Sequence, residues 1–328
     1  MSNFVRSYGV RVVNTLGTQL FVQSGTYWDD RTLNRTIHLD ANSHWTDNAL
    51  WITRMAQFGQ GLMKDAQVTP PGVAIFWPAT FAGGTAYSPV ARIILDGSLW
   101  VTADPLVHEY GHNVRYVTGV PWYFYNCLGA FLPCDPGFAA LVGGYNHSPA
   151  SSIPAQVAQN EGFAEYFYEM VKIVNPTQSR QNYTTPYPIP TNPGNWGQNI
   201  FRDCSTSNSC GFWSIPSGMT NEARVSSFFY RYTNEVLSCA DGSKSDVAKF
   251  NRFMTGMMNT VVGELSQSVI GLWNNNLYRS FPTASYCPNE PDLTARRAKL
   301  KQILTDTTIA TLVGTSYQGS TGEVVLIP

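Results

Sequence analysis

The segment His108-Glu109-Tyr110-Gly111-His112 restricts the fold more than any other part of the chain. On an α-helix its two histidines stand one turn apart and project to the same side, so their imidazoles can share one tetrahedral ion, while Glu109 sits about 100° round the axis. Such a helix must be held on one face and open to a cleft on the other. Flanking residues fit that demand. Asp104 is the expected N-cap and Pro105 the first helical residue, with the helix running to about Val117. Leu106, Tyr110, Val114 and Val117 fall opposite the histidines and supply the face to bury. Zinc held there lowers the pKa of bound water to roughly 7, and Glu109 is placed to take the proton as that water attacks a carbonyl.

Two histidines leave a catalytic zinc one protein ligand short. A third His six residues on, with a glycine between, would mark a metzincin, but position 118 is Thr and position 115 is Arg, which excludes that class. A second helix is expected with Pro154 in its first turn and Asn175-Pro176 at its end. It carries Asn160-Glu161-Gly162-Phe163-Ala164-Glu165-Tyr166-Phe167. Its stripe of Phe163, Phe167, Met170, Val171 and Val174 packs one side, and Glu161 and Glu165 emerge together away from it. Taken alone, Glu161, Glu165 and Glu169 would read as a solvated charged face. Beside the His pair, they offer the missing oxygen ligand.

These two motifs together resemble the gluzincins, the thermolysin-like and aminopeptidase-like metallopeptidases whose third ligand is the Glu of an Asn-Glu motif on the next helix. The resemblance implies one catalytic Zn2+ held by His108, His112 and Glu161, with Glu109 as general base. It also implies that Glu165 orients a zinc-bound His through its other ring nitrogen. The departure is the interval of 48 residues between His112 and Glu161, longer than in familiar members. An insertion holding Cys127 and Cys134, expected to line the cleft, accounts for it.

A tetrahedral intermediate needs a preformed donor for its oxyanion. Arg224, within Glu222-Ala223-Arg224-Val225-Ser226-Ser227-Phe228-Phe229, is the first candidate, Tyr230 or Tyr232 the second, and His147 the third. His38 and His44 stand alone, without partners at ligand spacing, and suit ordinary hydrogen-bonding roles.

Charged residues make up only 13% of the 328-residue chain, so its surface must be built largely from Ser, Thr, Asn, Gln and Tyr, an extracellular style. With 21 basic and 22 acidic side chains and no Lys/Arg cluster, nucleic acid and membrane surfaces are poor partners, and a protein or peptide substrate is expected of a monomer. The 6 cysteines include no C-x-x-C pair. Disulfides joining Cys127 to Cys134, Cys204 to Cys210 and Cys239 to Cys287 are expected in an oxidising compartment, outside the cell. The sequons at Asn34, Asn146 and Asn182 matter only if the source glycosylates. Met1-Ser2-Asn3-Phe4 lacks the basic and apolar regions of a signal peptide and reads as a mature start.

Strands are expected at 10–13, 19–22, 73–77, 91–95 and 98–102, and further helices over about 47–68, 221–237, 245–262 and 294–304. The Pro, Asn, Ser, Thr and Gly tract from 175 to 220 reads as a functional loop or cleft wall. The fold expected is α+β and zincin-like in two lobes. Residues 1–119 hold a mixed sheet and the His helix, 120–152 a loop-rich insertion, and 153–328 a mainly helical lobe with the third ligand. The expected function is hydrolysis of peptide bonds by a secreted endopeptidase through a Glu-activated, zinc-bound water. Two alternatives are a secreted binding or adhesion protein on the same fold without turnover, and a zinc hydrolase of another carbonyl substrate.

Overall fold

The computed structural model describes residues 10–13, 44–79, 86–88, 92–96, 103–117, 125–127, 132–134, 151–153, 155–174, 209–210, 213–214, 220–237, 245–258, 298–299, 302–303 and 306. The elements in chain order are β1 (Val10–Val13), α1 (His44–Asp65), β2 (Val73–Ala79), β3 (Ala86–Ser88), β4 (Arg92–Asp96), α2 (Ala103–Val117), β5 (Tyr125–Cys127) and β6 (Leu132–Cys134). Then follow α3 (Ala155–Val174), β7 (Ser209–Cys210), β8 (Trp213–Ser214), α4 (Glu222–Arg231), a π-helical turn (Tyr232–Val236) and α5 (Asp246–Met258). The expected strands at 19–22 and 98–102 and most of the helix at 294–304 lie outside the described residues, as does His38.

Four strands form one sheet in the order β1-β2-β4-β3, with β1, β2 and β4 parallel and β3 antiparallel to β4. Ile75, Trp77 and Ile93 are buried in it. The register advances from Phe76–Ile94 to Ala79–Asp96, so β2 spends one extra residue. Pro78 lies within that bulge, where its missing N–H breaks no ladder bond.

Helix α1 ends at Asp65, short of the Val68 expected from its apolar spacing. Val68 N–H donates to Met63 O and Gln67 N–H to Lys64 O, the crossed bonds of a Schellman cap, and Gln67 takes the left-handed conformation at φ 59. The following Pro70-Pro71-Gly72 turn is held by side chains. Tyr110 Oη donates to Pro71 O at 2.7 Å, Gln60 Nε2 to the same oxygen at 3.2 Å, and Asn113 Nδ2 to Gly72 O at 3.2 Å. Thus the far side of the His helix is pinned to the entry of β2.

Helix α3 runs through the centre, and its residues 158–171 are buried except for Glu165. Against α2 its partners occur in opposite order: Arg115 meets Gln159, His112 meets Glu161, and Gly111 meets Ala164, so the two helices are antiparallel. Against α4 they occur in the same order, Gly162 beside Val225 and Tyr166 beside Phe229 and Thr233, so that pair is parallel. Both approaches are close. A Cβ at Gly111 would meet Ala164 Cα at 3.0 Å, a tight contact, and one at Gly162 would meet Val225 Cγ1 at 2.6 Å, which the packing there does not admit without a shift. Beyond Gly162 the rings of Phe163, Tyr166, Phe229, Phe250 and Phe253 interlock at centroid separations of 4.5–6.4 Å.

Three sequence expectations change here. Helix α2 begins at Ala103, one residue before the expected cap, so Asp104 stands in the first turn. Within the 120–152 segment, expected to be loop-rich, β5 and β6 pair as a hairpin, with Cys127 opposite Leu132 and Cys134 opposite Tyr125. A smaller hairpin, β7–β8, interrupts the 175–220 tract. Both strand pairs are too short to leave a period-2 signal.

Candidate metal centre

His108 and His112 face α3 from one turn of α2, and Glu161 faces them from the second turn of α3. Glu161 Oε2 lies 3.1 Å from His108 Nε2 and 3.0 Å from His112 Nε2, and the two Nε2 atoms are 3.2 Å apart. The rings meet edge to face, with 82° between their planes. That tilt lets both nitrogens aim at one point.

Nearly equal separations among three donors test the fit of a cation. Donors held 2.0–2.1 Å from a tetrahedral centre stand about 3.4 Å apart, close to the spacing these three atoms already have. Two imidazole nitrogens and one carboxylate oxygen suit Zn2+ and disfavour Ca2+ and Mg2+, which take oxygen. With three protein donors, a tetrahedral Zn2+ held here would keep one position for water or substrate. The residues present therefore fit one Zn2+. Among the described residues, His108, His112 and Glu161 make the one His/Cys/Asp/Glu group so arranged.

Burial shapes the electrostatics. Glu161 is 3% exposed and Glu109 8%, so two carboxylates are largely withdrawn from water beside the imidazoles. Burial pushes His108 down, but the charge of Glu165, hydrogen bonds with Glu161 and Glu165 and the charge of Glu109 outweigh it. They hold the ring well above the usual imidazole range. Metal binding at such a site takes the deprotonated imidazoles and so competes with protons.

Glu165 Oε1 stands 3.1 Å from His108 Nδ1, the nitrogen turned away from Glu161. One carboxylate thus meets each ring nitrogen. Glu169, grouped with the other two on sequence grounds, is buried and paired with Lys172 at 3.5 Å. The row Glu161, Glu165 and Glu169 is therefore not a solvated face, because α2 and α4 cover α3 on both sides.

The candidates for binding an oxyanion are less gathered. Arg224 is fully buried, and burial lowers its guanidinium pKa below the ordinary value. Its backbone N–H donates to the N-cap Asn221 Oδ1 at 3.1 Å, and the next residue, Val225, is the one packed on Gly162. The first turn of α4 therefore passes beside the segment carrying Glu161. Tyr232 lies in the core, its ring against Phe228 and Phe253, while Tyr230 is half-buried at its edge. His147 lies outside the described residues, and of His44 only the backbone, at the start of α1, is described.

Arg115 stands outside the sequence motifs, where it counts only as a residue that is not glycine. It is fully buried, with Nη1 donating to Gln159 O at 2.7 Å. The available signal was its position three residues after His112, on the same side of the helix.

No protein-family model matches the chain, and no match is found among curated proteins or among solved structures. No helix among the described residues is long and apolar enough to cross a membrane.

Proposed function

We propose that the chain is a zinc-dependent peptidase of gluzincin type, acting as a secreted, monomeric endopeptidase on protein or peptide substrates. The observation that carries this reading is the mutual approach, at 3.0–3.2 Å, of Nε2 of His108, Nε2 of His112 and Oε2 of Glu161. Zn2+ bound there supplies a Lewis acid that makes water nucleophilic near neutral pH and polarises a carbonyl.

The chain's own residues do the rest. Glu109, one position past His108 on α2 and largely buried, takes the proton of the attacking water and delivers it to the departing amine, which needs that proton to leave. Glu165 holds His108 Nδ1 and so keeps Nε2 directed at Glu161. Arg224, cationic and buried on the helix beside Gly162, is the preferred group to stabilise the developing oxyanion. Residues 1–119 and 153–328 form two lobes of one α+β catalytic unit, and the 120–152 insertion lines the cleft. Disulfides at Cys127–Cys134, Cys204–Cys210 and Cys239–Cys287 belong to the same proposal.

The experiment is to measure metal content and to incubate the chain with a panel of unfolded proteins, with and without a chelator. One zinc per chain and chelator-sensitive cleavage are expected. A zinc-free preparation that is fully folded and fully active overturns the assignment, and zinc without cleavage of any panel member favours a binding protein on this framework.

A further inference from the structure

We infer that Arg115 is a positioning residue for the metal ligands, setting the axial register of α3 against α2 so that Glu161 stands opposite His108 and His112. This rests on reading those three side chains as a metal centre. Arg115 follows His112 by one turn and is fully buried. Its Nη1 donates to Gln159 O at 2.7 Å, and its Cζ lies over the Phe163 ring, 5.6 Å from the centroid. Gln159 and Phe163 stand two residues before and two residues after Glu161. One side chain of α2 therefore grips α3 on both sides of the oxygen ligand.

Such a grip matters where the two backbones come closest. At Gly111 the helices meet backbone to backbone, with Ala164 Cα 3.0 Å from where a Cβ would stand. Glycine against alanine leaves little side chain between the two backbones, although Phe167 packs beside Gly111 and Tyr110. A helix advances about 1.5 Å per residue, whereas metal–ligand distances tolerate only about 0.2 Å, so a slip of a fraction of a residue spoils the donor set. The planar guanidinium resists that slip in two ways. Its N–H donates to a main-chain carbonyl, and its central carbon lies over an aromatic ring. Lysine keeps the charge and much of the length but has neither the plane nor the fork.

The test compares wild type, Arg115→Lys and Arg115→Met in three measurements: Zn2+ affinity by competition with a chromophoric chelator, urea unfolding of the metal-free protein, and the visible absorption of the Co2+-substituted protein. Arg115→Lys is expected to unfold close to the wild-type midpoint yet bind Zn2+ 10–100-fold more weakly, with an altered Co2+ spectrum, and Arg115→Met to go further in the same direction. Unchanged Zn2+ affinity and Co2+ spectrum in folded Arg115→Lys overturn the inference. So does a loss of affinity no greater than the loss of folding accounts for. If Arg115→Met does not fold, the lysine variant decides. Failure of the metal reading shows separately, as wild-type protein that binds no stoichiometric Zn2+ or loses none of it in Glu161→Ala.

Discussion

Glu165 Oε1 and His108 Nδ1 are 3.1 Å apart, on the opposite side of the ring from the 3.1 Å contact between His108 Nε2 and Glu161 Oε2. A single imidazole is thus held between two carboxylates of α3 one turn apart. On the proposed reading of a metal centre, the outer carboxylate orients the ring and raises the basicity of the inner nitrogen. Glu165→Ala should therefore weaken Zn2+ binding by about 10–100-fold while leaving the chain folded. Chelator competition checks this, and an unchanged dissociation constant would remove Glu165 from the support of His108.

Glu109 and Glu161 are both buried beside the histidines but have different assigned tasks. Glu109→Gln should keep its zinc and lose about 10²–10⁴-fold or more in turnover, since the amide cannot carry the proton. Glu161→Ala should lose the metal itself. Metal analysis paired with peptide hydrolysis separates the two, and wild-type turnover in Glu109→Gln would end the general-base role.

Gly162 fits against Val225 only because it has no side chain. Gly162→Ala should destabilise by about 1–3 kcal/mol through overpacking of α3 on α4. Adding Val225→Ala should recover part of that loss, so a double-mutant cycle of urea midpoints is non-additive. Strict additivity would show that the contact is not the cause.

Gln67 holds the left-handed cap of α1 at φ 59, on an exposed position that glycine occupies without a steric penalty. Gln67→Gly should stabilise the protein by about 1 kcal/mol, seen as a raised Tm. A lowered Tm would mean that the Gln67 side chain contributes more than its backbone strain costs.

Arg231 joins Glu235 at 2.6 and 3.1 Å and Asp306 at 2.7 Å, and Lys299 reaches Glu235 at 3.0 Å, tying the π-helical turn to the 298–306 segment. Burial pushes Glu235 up, but the hydrogen bonds and charges of Arg231 and Lys299 outweigh it and hold its pKa below the ordinary value. A depressed carboxylate pKa contributes stability that is present above the unfolded value, about 4.3, and is lost as pH falls through the folded one. Wild type should exceed Glu235→Gln by about 0.5–1 kcal/mol at pH 7, the size of a partly exposed ion pair. The gap should close in acid. A gap that is the same at pH 7 and pH 3 would point to packing in place of charge.

Much of the site was legible because it is written in local periodicity. His108 and His112 had to share a helical face once Asp104-Pro105 and the apolar positions Leu106, Tyr110 and Val114 defined α2, and Glu161 and Glu165 had to share one on α3. The parallel strands at Val10–Val13, Val73–Ala79 and Arg92–Asp96 likewise follow runs of β-branched and aromatic residues. The short hairpins at 125–134 and 209–214 were not legible, since two or three residues per strand carry no period. Nor was the π-helical turn at Tyr232–Val236, whose sequence continues the amphipathic pattern of α4 without a break.

Consecutive residues alone determined which side chains could act together on one helix, because a 3.6-residue repeat is a property of the helix itself. Only the tertiary structure decided that Glu161 Oε2 stands 3.0 Å from His112 Nε2, that Arg115 reaches Gln159 O, and that Glu161 and Glu169 lie out of the solvent. Those outcomes depend on how closely two helices distant in sequence approach, and at the α2–α3 contact the missing side chain of Gly111 permits that approach, as that of Gly162 does between α3 and α4. An absent Cβ leaves no periodic mark in a sequence; its effect exists only where another helix comes to fill the space.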